Sequence, residues 1–277
     1  MKKIGKMRLR LCALGLALCL LAAGSIPAFA EEEKRQVAMS FTAKSVLLME
    51  QQTGQLLFEQ NAREALAPAS LTKLMDLLLI FEALEDGTLT MDQTLTCSAY
   101  AKTMGGSEIW LKEGEQMTVE DLLKALIVAS ANDAAVVFAE ALAATEEAFV
   151  QRMNEKAQEL GLQDSTFYNS NGLPEEGHLS SAYDLVQITR AAMAYPEFLD
   201  YAGAEGYSIP EGEQNAAHAF LHTDRFLRQD TVYYDETAIA GKTGWTSTAG
   251  NCLMTVMQRD GRTLIAVVLQ SDSDEVA

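Results

Sequence analysis

The stretch APASLTKLMD, residues 67–76, places a serine and a lysine three positions apart where an apolar run begins. Ser70 and Lys73 would lie on the same face of a helix, because residues three positions apart are neighbours on a helix surface. The run SLTKLMDLLLIFEALEDG is apolar on almost every side and closes with Gly87, which predicts a buried helix with a glycine stop. Polar groups on such a helix need partners, so this serine and lysine require an explanation.

Strands are predicted at both ends of the folded part of the chain. SVLLME and LLFEQ, joined by QQTGQ with its Thr53-Gly54 turn, indicate a hairpin. Towards the other end, ETAIAGKTGWT, NCLMTVMQ and TLIAVVLQ indicate three strands, and Asp260-Gly261 makes a tight turn between the last two. Both faces of these strands are apolar, so we expect both faces of the sheet to be covered.

The segment between these ends is mostly helical in pattern. Residues 88–117 are irregular, with MGGSEIW as a flexible tip. Thr118 and Thr145 are suited to cap the next helices, and SAYDLVQITRAAMAY forms another that Pro196 stops. We predict an α+β fold, an antiparallel sheet with helices on both faces and an inserted, mostly helical lobe at about 88–195.

The first thirty residues have the layout of a secretory signal peptide. Five basic residues precede the apolar run LCALGLALCLLAAG, and AFA at 28–30 supplies the small residues of a cleavage site. The alternative is an uncleaved membrane anchor, but the apolar run is short for a spanning helix. We expect export, a polar linker at 31–40 and one domain at 41–277. Cleavage would leave a net charge of −23, which disfavours nucleic acid and anionic lipid as partners.

Cysteine and histidine content gives little sign of further chemistry. Cys97 and Cys252 could form a disulfide outside the cytosol or remain two buried thiols. His178, His218 and His222 show no metal-ligand spacing such as H-E-x-x-H. We expect no metal and no other cofactor.

Three short motifs carry the chemical signal. They are Ser70-x-x-Lys73, Ser130-Ala131-Asn132 and Lys242-Thr243-Gly244. Each alone has an ordinary explanation. Ser70 could be a serine at a helix start, Asn132 a helix cap and Lys242 an exposed lysine on a strand. Together and in this order, S-x-x-K, S-D-N and K-T-G are the signature of class A β-lactamases and penicillin-binding proteins. The GKT at 241–243 is not a phosphate-binding loop, which would need a glycine where this chain has Glu236.

The residue types indicate nucleophilic catalysis by a serine. A serine hydroxyl needs a base within hydrogen-bond reach, and Lys73 can be that base only when neutral. An ordinary lysine has a pKa of about 10.4, so its pKa must fall by about three units, or roughly 4 kcal/mol. Burial and a second cation, Lys242, would lower it, and Asn132 adds no opposing carboxylate. Ser130 can relay a proton to a leaving group.

The third motif indicates a substrate with a terminal carboxylate. Lys242 and the Thr243 hydroxyl suit a carboxylate, and Gly244 allows a backbone to approach closely. The N–H groups of Ser70 and Trp245 could form an oxyanion hole. The site should therefore bind a peptide that ends in a free carboxylate and attack the adjacent carbonyl.

The chain resembles the low-molecular-mass penicillin-binding proteins, the D-alanyl-D-alanine carboxypeptidase family of serine peptidases. The resemblance spans about 41–270 and includes LAPASLTKLM, MTVEDLLKALIVASANDAAVVFAE, NSNGLPEEGHLSSAYDLVQITRA and AGKTGWTSTAG. It implies a β-lactamase/transpeptidase-like catalytic domain, inhibition by penicillin and other β-lactams, and action on peptidoglycan stem peptides ending in D-Ala-D-Ala. It implies that Ser70 is the nucleophile and Lys73 the base. It assigns the proton relay and the binding of a substrate amide to Ser130 and Asn132, and the binding of the terminal carboxylate to Lys242 and Thr243.

Two features depart from the family pattern. HTDR at 222–225 stands where the family often has HNTN, and Asp224 would change the local hydrogen bonds. Members usually continue past the last strand with a helix on the sheet, and often with a β-rich domain and a membrane-binding tail. Here the sequence stops at Ala277, so the resemblance predicts a sheet face without that cover or a partial sequence, and it leaves membrane attachment open.

Three other functions compete with this interpretation. A class A β-lactamase would need a glutamate in an E-x-x-L-N loop; that pattern is missing, and Glu175 and Glu176 fit solvated loop charges better. A non-catalytic binder would be expected to have lost one of the motif residues, and a purely structural secreted protein would not need them. We therefore expect an exported, extracytoplasmic serine-type carboxypeptidase of the cell wall that hydrolyses penicillin slowly.

Overall fold

The computed structural model describes residues 41–272. The predicted signal peptide and linker lie outside this part of the chain. The described strands are β1 Ser45–Glu50, β2 Leu56–Gln60, β3 Thr94–Thr96, β4 Gln116–Thr118, β5 Gly206–Ile209, β6 His218–Leu221, β7 Ala238–Thr246, β8 Gly250–Arg259 and β9 Arg262–Ser271. The described α-helices are α1 Lys73–Glu85, α2 Val119–Val128, α3 Asn132–Ala143, α4 Glu146–Glu159, α5 Ala182–Ala192 and α6 Pro196–Ala202.

The main sheet is built from strands near both ends of the chain, as predicted. Its five strands are antiparallel and lie in the order β2-β1-β9-β8-β7, which leaves β7 at an edge. Asp260 and Gly261, with φ of 51° and 74°, form the tight turn between β8 and β9, where a two-residue hairpin favours positive φ at both positions.

The two faces of this sheet are covered to different degrees. On one face Leu47 and Val267 are fully buried, and α5 packs against β1 and β9. On the other face Leu48, Leu264 and Val268 are half-buried. The fold is therefore the predicted α+β arrangement, in which α5 packs on the more deeply buried face of the sheet.

The apolar helix lies at the centre of the domain, as its sequence predicts. α1 contacts α2, α3, α4 and α5, and almost all its residues are buried. One detail differs, because the helix starts only at Lys73 and the preceding Ala69–Thr72 forms a 3-10 turn. A 3-10 turn has three residues per turn and aligns residues three apart, so Ser70 and Lys73 still share a face.

Several local predictions were tested by the structure. The Thr118 and Thr145 side chains cap α2 and α4, as expected. Thr118 accepts the Asp121 N–H, and Thr145 accepts the Ala148 N–H. The helix predicted to stop at Pro196 ends earlier, at Ala192, and Pro196 also occupies the first turn of α6, where its fixed φ suits a helix start. The predicted irregular segment contains β3 and part of β4, and the two-stranded sheet of β5 and β6 was not predicted. Within residues 41–272 no helix is long and apolar enough to cross a bilayer.

Candidate active site

The nucleophile and base candidates are hydrogen-bonded to each other. Lys73 Nζ lies 3.1 Å from Ser70 Oγ, across the junction between the 3-10 turn and α1. Ser70 is half-buried at the cleft, whereas Lys73 is fully buried. The spacing in sequence thus becomes direct contact between a hydroxyl and an amine.

The remaining partners of Lys73 are two carbonyl oxygens. Its Nζ lies 2.7 Å from Asn132 Oδ1 and 2.6 Å from the backbone oxygen of Asn171. Carbonyl oxygens can only accept, and a neutral amine has two N–H groups and one lone pair. If both N–H groups are donated to the carbonyls, the lone pair faces Ser70 Oγ, which is the geometry a base requires.

Burial also favours the neutral form of the Lys73 amine. Removal from water lowers the pKa of its ammonium to about 7, and the Asp76 and Asp133 carboxylates oppose this change. The second cation that we expected is present in the same cleft, since Lys242 is also buried, and burial together with repulsion from Lys73 lowers the pKa of Lys242 as well. Asn132 itself adds no carboxylate, as expected, but Asp76 is buried three residues along the same helix.

Lys242 and Ser130 form a second hydrogen-bonded pair in the same cleft. Lys242 Nζ donates to Ser130 Oγ at 2.7 Å and to the Thr243 backbone oxygen at 2.8 Å. Lys242 is 1% exposed, so it is not the exposed strand lysine of the ordinary explanation. Burial and the charge of Lys73 place its pKa well below the usual range, while Asp224 acts against that shift.

The break between α2 and α3 places Ser130 and Asn132 at the cleft. Ser130 has φ of 59°, a left-handed conformation that turns the chain between the two helices. The Asn132 side chain donates to the Gly105 backbone oxygen at 2.7 Å, and its backbone N–H donates to Ser107 at the same distance. The asparagine therefore joins Lys73 on one side to the 105–107 segment on the other.

The segment predicted to be a flexible tip is held in place by hydrogen bonds. Asp133 is fully buried and accepts the N–H groups of Ile109 and Leu111 at 3.3 and 3.0 Å. Trp110, between them, is 78% exposed, with φ of 59°. Asn132 and Asp133 thus fix this segment against the start of α3 and leave its indole in solvent.

The third motif runs along the edge strand β7 beside Ser70. A Cβ at Gly244 would lie 2.9 Å from Ser70 N, so only glycine permits this approach of β7. Thr243 is half-buried, and the Trp245 side chain is 67% exposed. The structure therefore brings Ser70, Lys73, Ser130, Asn132 and the Lys242–Trp245 segment to one cleft.

Sequence reasoning missed some residues that complete this site. Asn171 supplies a backbone acceptor, and neighbouring Ser170 is held by Glu146, which accepts from its N–H at 2.9 Å and its hydroxyl at 2.8 Å. Asp76 has neither carboxylate oxygen hydrogen-bonded within residues 41–272, and burial raises its pKa well above the usual range. The one acidic residue early in the apolar run was a visible signal for Asp76.

Other singled-out residues have clear positions. Glu175 and Glu176 are exposed and line a cavity of about 260 Å³ together with Ala69. Cys97 and Cys252 are separate buried thiols, which excludes the disulfide alternative.

The HTDR segment is ordered by its own side chains. Asp224 caps the 3-10 turn Arg225–Leu227 by accepting the Phe226 N–H at 2.9 Å, and its own N–H donates to His222 Nδ1 at 2.9 Å. Burial raises the pKa of Asp224 to about 6. A Cβ at Gly241 would lie only 2.0 Å from the Asp224 carboxylate, so this acid fits because residue 241 is glycine.

Known structures share this fold and define its class, that of the penicillin-binding proteins. A D-alanyl-D-alanine carboxypeptidase, DacD from Francisella tularensis, superposes with a TM-score of 0.79, 25% identity and coverage of 87% of this chain and 68% of that one. Penicillin-binding protein D2 from Listeria monocytogenes, in its cefotaxime-bound form, superposes with a TM-score of 0.72 and 27% identity. The match covers 87% of this chain and 94% of that one.

Sequence comparison is more specific within this class. The profile described as D-alanyl-D-alanine carboxypeptidase matches residues 30–273, so the chain belongs to that family of peptidases. D-alanyl-D-alanine carboxypeptidase DacF from Bacillus subtilis (strain 168) is 40% identical over 245 residues, which are 87% of this chain and 61% of the relative. The chain therefore spans about three fifths of the length of this curated relative.

Proposed function

We propose that this protein is a serine-type D-Ala-D-Ala carboxypeptidase, which removes the terminal D-alanine from peptidoglycan stem peptides through an acyl-enzyme. The observation that carries the proposal is the environment of Lys73, which is buried, bound to two carbonyl oxygens and directed at Ser70 Oγ. Family membership supports the substrate class.

Each motif residue has a step in this reaction. Ser70 Oγ attacks the carbonyl carbon of the penultimate D-alanine while its proton passes to Lys73. The N–H groups of Ser70 and Trp245 stabilise the resulting oxyanion. When the C–N bond breaks, Ser130 passes a proton to the departing amine and recovers one from Lys73. Water then hydrolyses the acyl-enzyme, which releases the shortened peptide and restores Ser70.

The substrate's terminal carboxylate is bound by the third motif. Lys242 Nζ lies beside Ser130 Oγ, so a carboxylate bound by Lys242 and the Thr243 hydroxyl would sit next to the proton relay. A bound carboxylate would raise the pKa of Lys242 and so offset the effect of burial. Within residues 41–272 no strand pairs with the outer side of β7, which lets the peptide backbone add there as a further strand, and Asn132 binds a substrate amide.

The same arrangement favours β-lactams as covalent inhibitors. They present a carboxylate and a reactive carbonyl to the same groups, and the cefotaxime complex of the Listeria protein supports this assignment. We place the reaction outside the cytoplasm, at the cell wall, on the strength of the predicted signal peptide. Glu175 and Glu176 lie exposed in solvent, so we expect deacylation of a penicillin adduct to be slow.

A peptide assay tests the proposal directly. Purified protein is incubated with a peptide ending in D-Ala-D-Ala, free D-alanine is measured, and Ser70→Ala serves as the control. We expect D-alanine from the parent only, and a stable penicillin adduct by intact mass. Rapid penicillin turnover without D-alanine release would favour a β-lactamase, and absence of any adduct would favour a non-catalytic binder.

A further inference from the structure

A chain of buried hydrogen bonds outside the three motifs ends at the residue before the nucleophile. The Tyr168 backbone N–H donates to His178 Nδ1 at 3.1 Å, and His178 Nε2 lies 2.7 Å from Thr72 Oγ1. Thr72 Oγ1 donates to the Ala69 backbone oxygen at 2.8 Å. His178 and Thr72 are both buried, so water does not compete for these bonds.

In this series of hydrogen bonds, the donor and the acceptor of each bond can be assigned. Burial lowers the pKa of His178 to about 4, so its ring is neutral near pH 7. Because Nδ1 accepts from Tyr168, the ring proton lies on Nε2 and is donated to Thr72 Oγ1. The hydroxyl proton of Thr72 is then directed to the carbonyl oxygen of Ala69.

That carbonyl belongs to the peptide group whose N–H is the proposed oxyanion donor. A trans peptide is planar, with its C=O and N–H pointing in opposite directions, so fixing the Ala69 oxygen also fixes the Ser70 N–H. Ala69 has φ of 47°, an uncommon conformation for a residue with a side chain, and needs surrounding contacts to hold it.

Two glycines confirm how closely this peptide is enclosed. A Cβ at Gly172 would lie 2.0 Å from the Ala69 oxygen, and a Cβ at Gly244 would lie 2.9 Å from Ser70 N. The Cβ position at Gly172 is also 2.9 Å from Ser70 N, so this peptide is enclosed between the 172 loop and β7. A rotation of this peptide plane would move the N–H away from the position that an oxyanion occupies.

We propose that Thr72 and His178 are positioning residues, which hold the Ala69–Ser70 peptide so that the Ser70 N–H is directed at the oxyanion. The proposal rests on the proposed function, in which Ser70 is the nucleophile and supplies that donor. Removal of one oxyanion-hole donor costs roughly 100- to 1,000-fold in rate. Because here the donor is misdirected rather than removed, we expect a loss of about 10- to 100-fold.

A pair of threonine variants separates the hydroxyl from the packing. Thr72→Val keeps the shape and removes the hydroxyl, whereas Thr72→Ser keeps the hydroxyl. Thr189→Val is the matched control, since Thr189 is also fully buried and its hydroxyl donates to a backbone carbonyl at 2.8 Å, in α5. The readouts are the penicillin acylation rate constant at saturation, the apparent binding constant, and the final adduct yield, which counts folded sites.

The expected result is specific to the acylation step. Thr72→Val should acylate about 10- to 100-fold more slowly with a binding constant within twofold of the parent, while Thr72→Ser and Thr189→Val stay within about threefold in rate. A peptide boronic acid, whose tetrahedral adduct places an oxygen in the oxyanion hole, should lose affinity by a similar factor in Thr72→Val.

A second variant keeps the test decisive if Thr72→Val folds poorly. His178→Leu should slow acylation in the same way, and the double variant should be no slower than the slower single variant, because both act through one peptide. Equal rates in Thr72→Val and the parent, equal losses in Thr72→Val and Thr72→Ser, or a loss confined to binding would overturn the proposal. If the parent forms the penicillin adduct but releases no D-alanine, the proposed peptide activity fails while this test still stands.

Discussion

Acylation should depend on pH through the titration of Lys73. Burial lowers the pKa of its ammonium from 10.5 to about 7, which corresponds to roughly 5 kcal/mol in favour of the neutral amine. With that pKa, about 1% of molecules carry neutral Lys73 at pH 5 and about 90% at pH 8. Only the neutral amine can take the Ser70 proton, so the rate should rise about 90-fold between these pH values and then level off.

The assay measures the acylation rate constant with a fluorescent penicillin at saturation, from pH 5 to 10. Saturation is essential because the rate then reports the bound complex. In the proposed mechanism the ligand's carboxylate keeps Lys242 charged in that complex. We expect an inflection at or somewhat below pH 7 and less than a twofold change between pH 8 and 10. An ordinary lysine would instead give a tenfold rise per pH unit up to about pH 10.

Asp224 provides the control, because its pKa of about 6 lies close to the same range. Asp224→Asn removes that titration and should leave an inflection near pH 7 in place. The role of Lys73 as a neutral base would be refuted by a rate that still rises tenfold per unit above pH 8. It would also be refuted if Asp224→Asn abolished the inflection.

Three other changes test separate parts of the site. Lys242→Ala should reduce the preference for a peptide carboxylate over its amide by at least about tenfold, and an unchanged preference in competition assays would remove Lys242 from substrate binding. Gly172→Ala forces a Cβ to 2.0 Å from a backbone carbonyl and should cut penicillin acylation severely. Gly161→Ala is the control, because Gly161 has a similar φ of 70° and no atom within 4 Å; it should leave acylation largely intact and lower the unfolding free energy in urea by only about 1–2 kcal/mol. Similar effects of both glycine changes would show that crowding at the nucleophile is unimportant. Asp133→Asn should cost about 1–3 kcal/mol of unfolding free energy because the carboxylate binds three backbone N–H groups; an unchanged urea midpoint would contradict this.

The sequence predicted the parts of the fold that depend on side-chain pattern. All-round apolarity located α1 at the centre, and strand patterns at both ends predicted a sheet that joins them. The short strands β5 and β6 have four residues each, too few for a recognisable alternation. Pro196 shows a different limit, since proline suits both the position after one helix and the first turn of the next.

The site was predictable where the chemistry needs particular side chains. Serine, lysine and asparagine at fixed spacing could be recognised, but the acceptor from Asn171 is a backbone oxygen, which any residue could supply. The hydrogen bond between His178 and Thr72 joins residues 106 positions apart, and no pattern in a single sequence pairs them. Asp76 was visible as a lone acid in an apolar run, yet its effect on Lys73 depends on burial, which only the fold shows.

The placement of the two tryptophans has a practical consequence. The chain has only two, Trp110 and Trp245, and both side chains are exposed, one on the segment held by Asn132 and Asp133 and one at the end of the third motif. Intrinsic indole fluorescence therefore comes from the mouth of the cleft and not from the core. Emission should change when the cleft is occupied and change comparatively little on denaturation, so the protein carries a built-in optical probe of ligand binding.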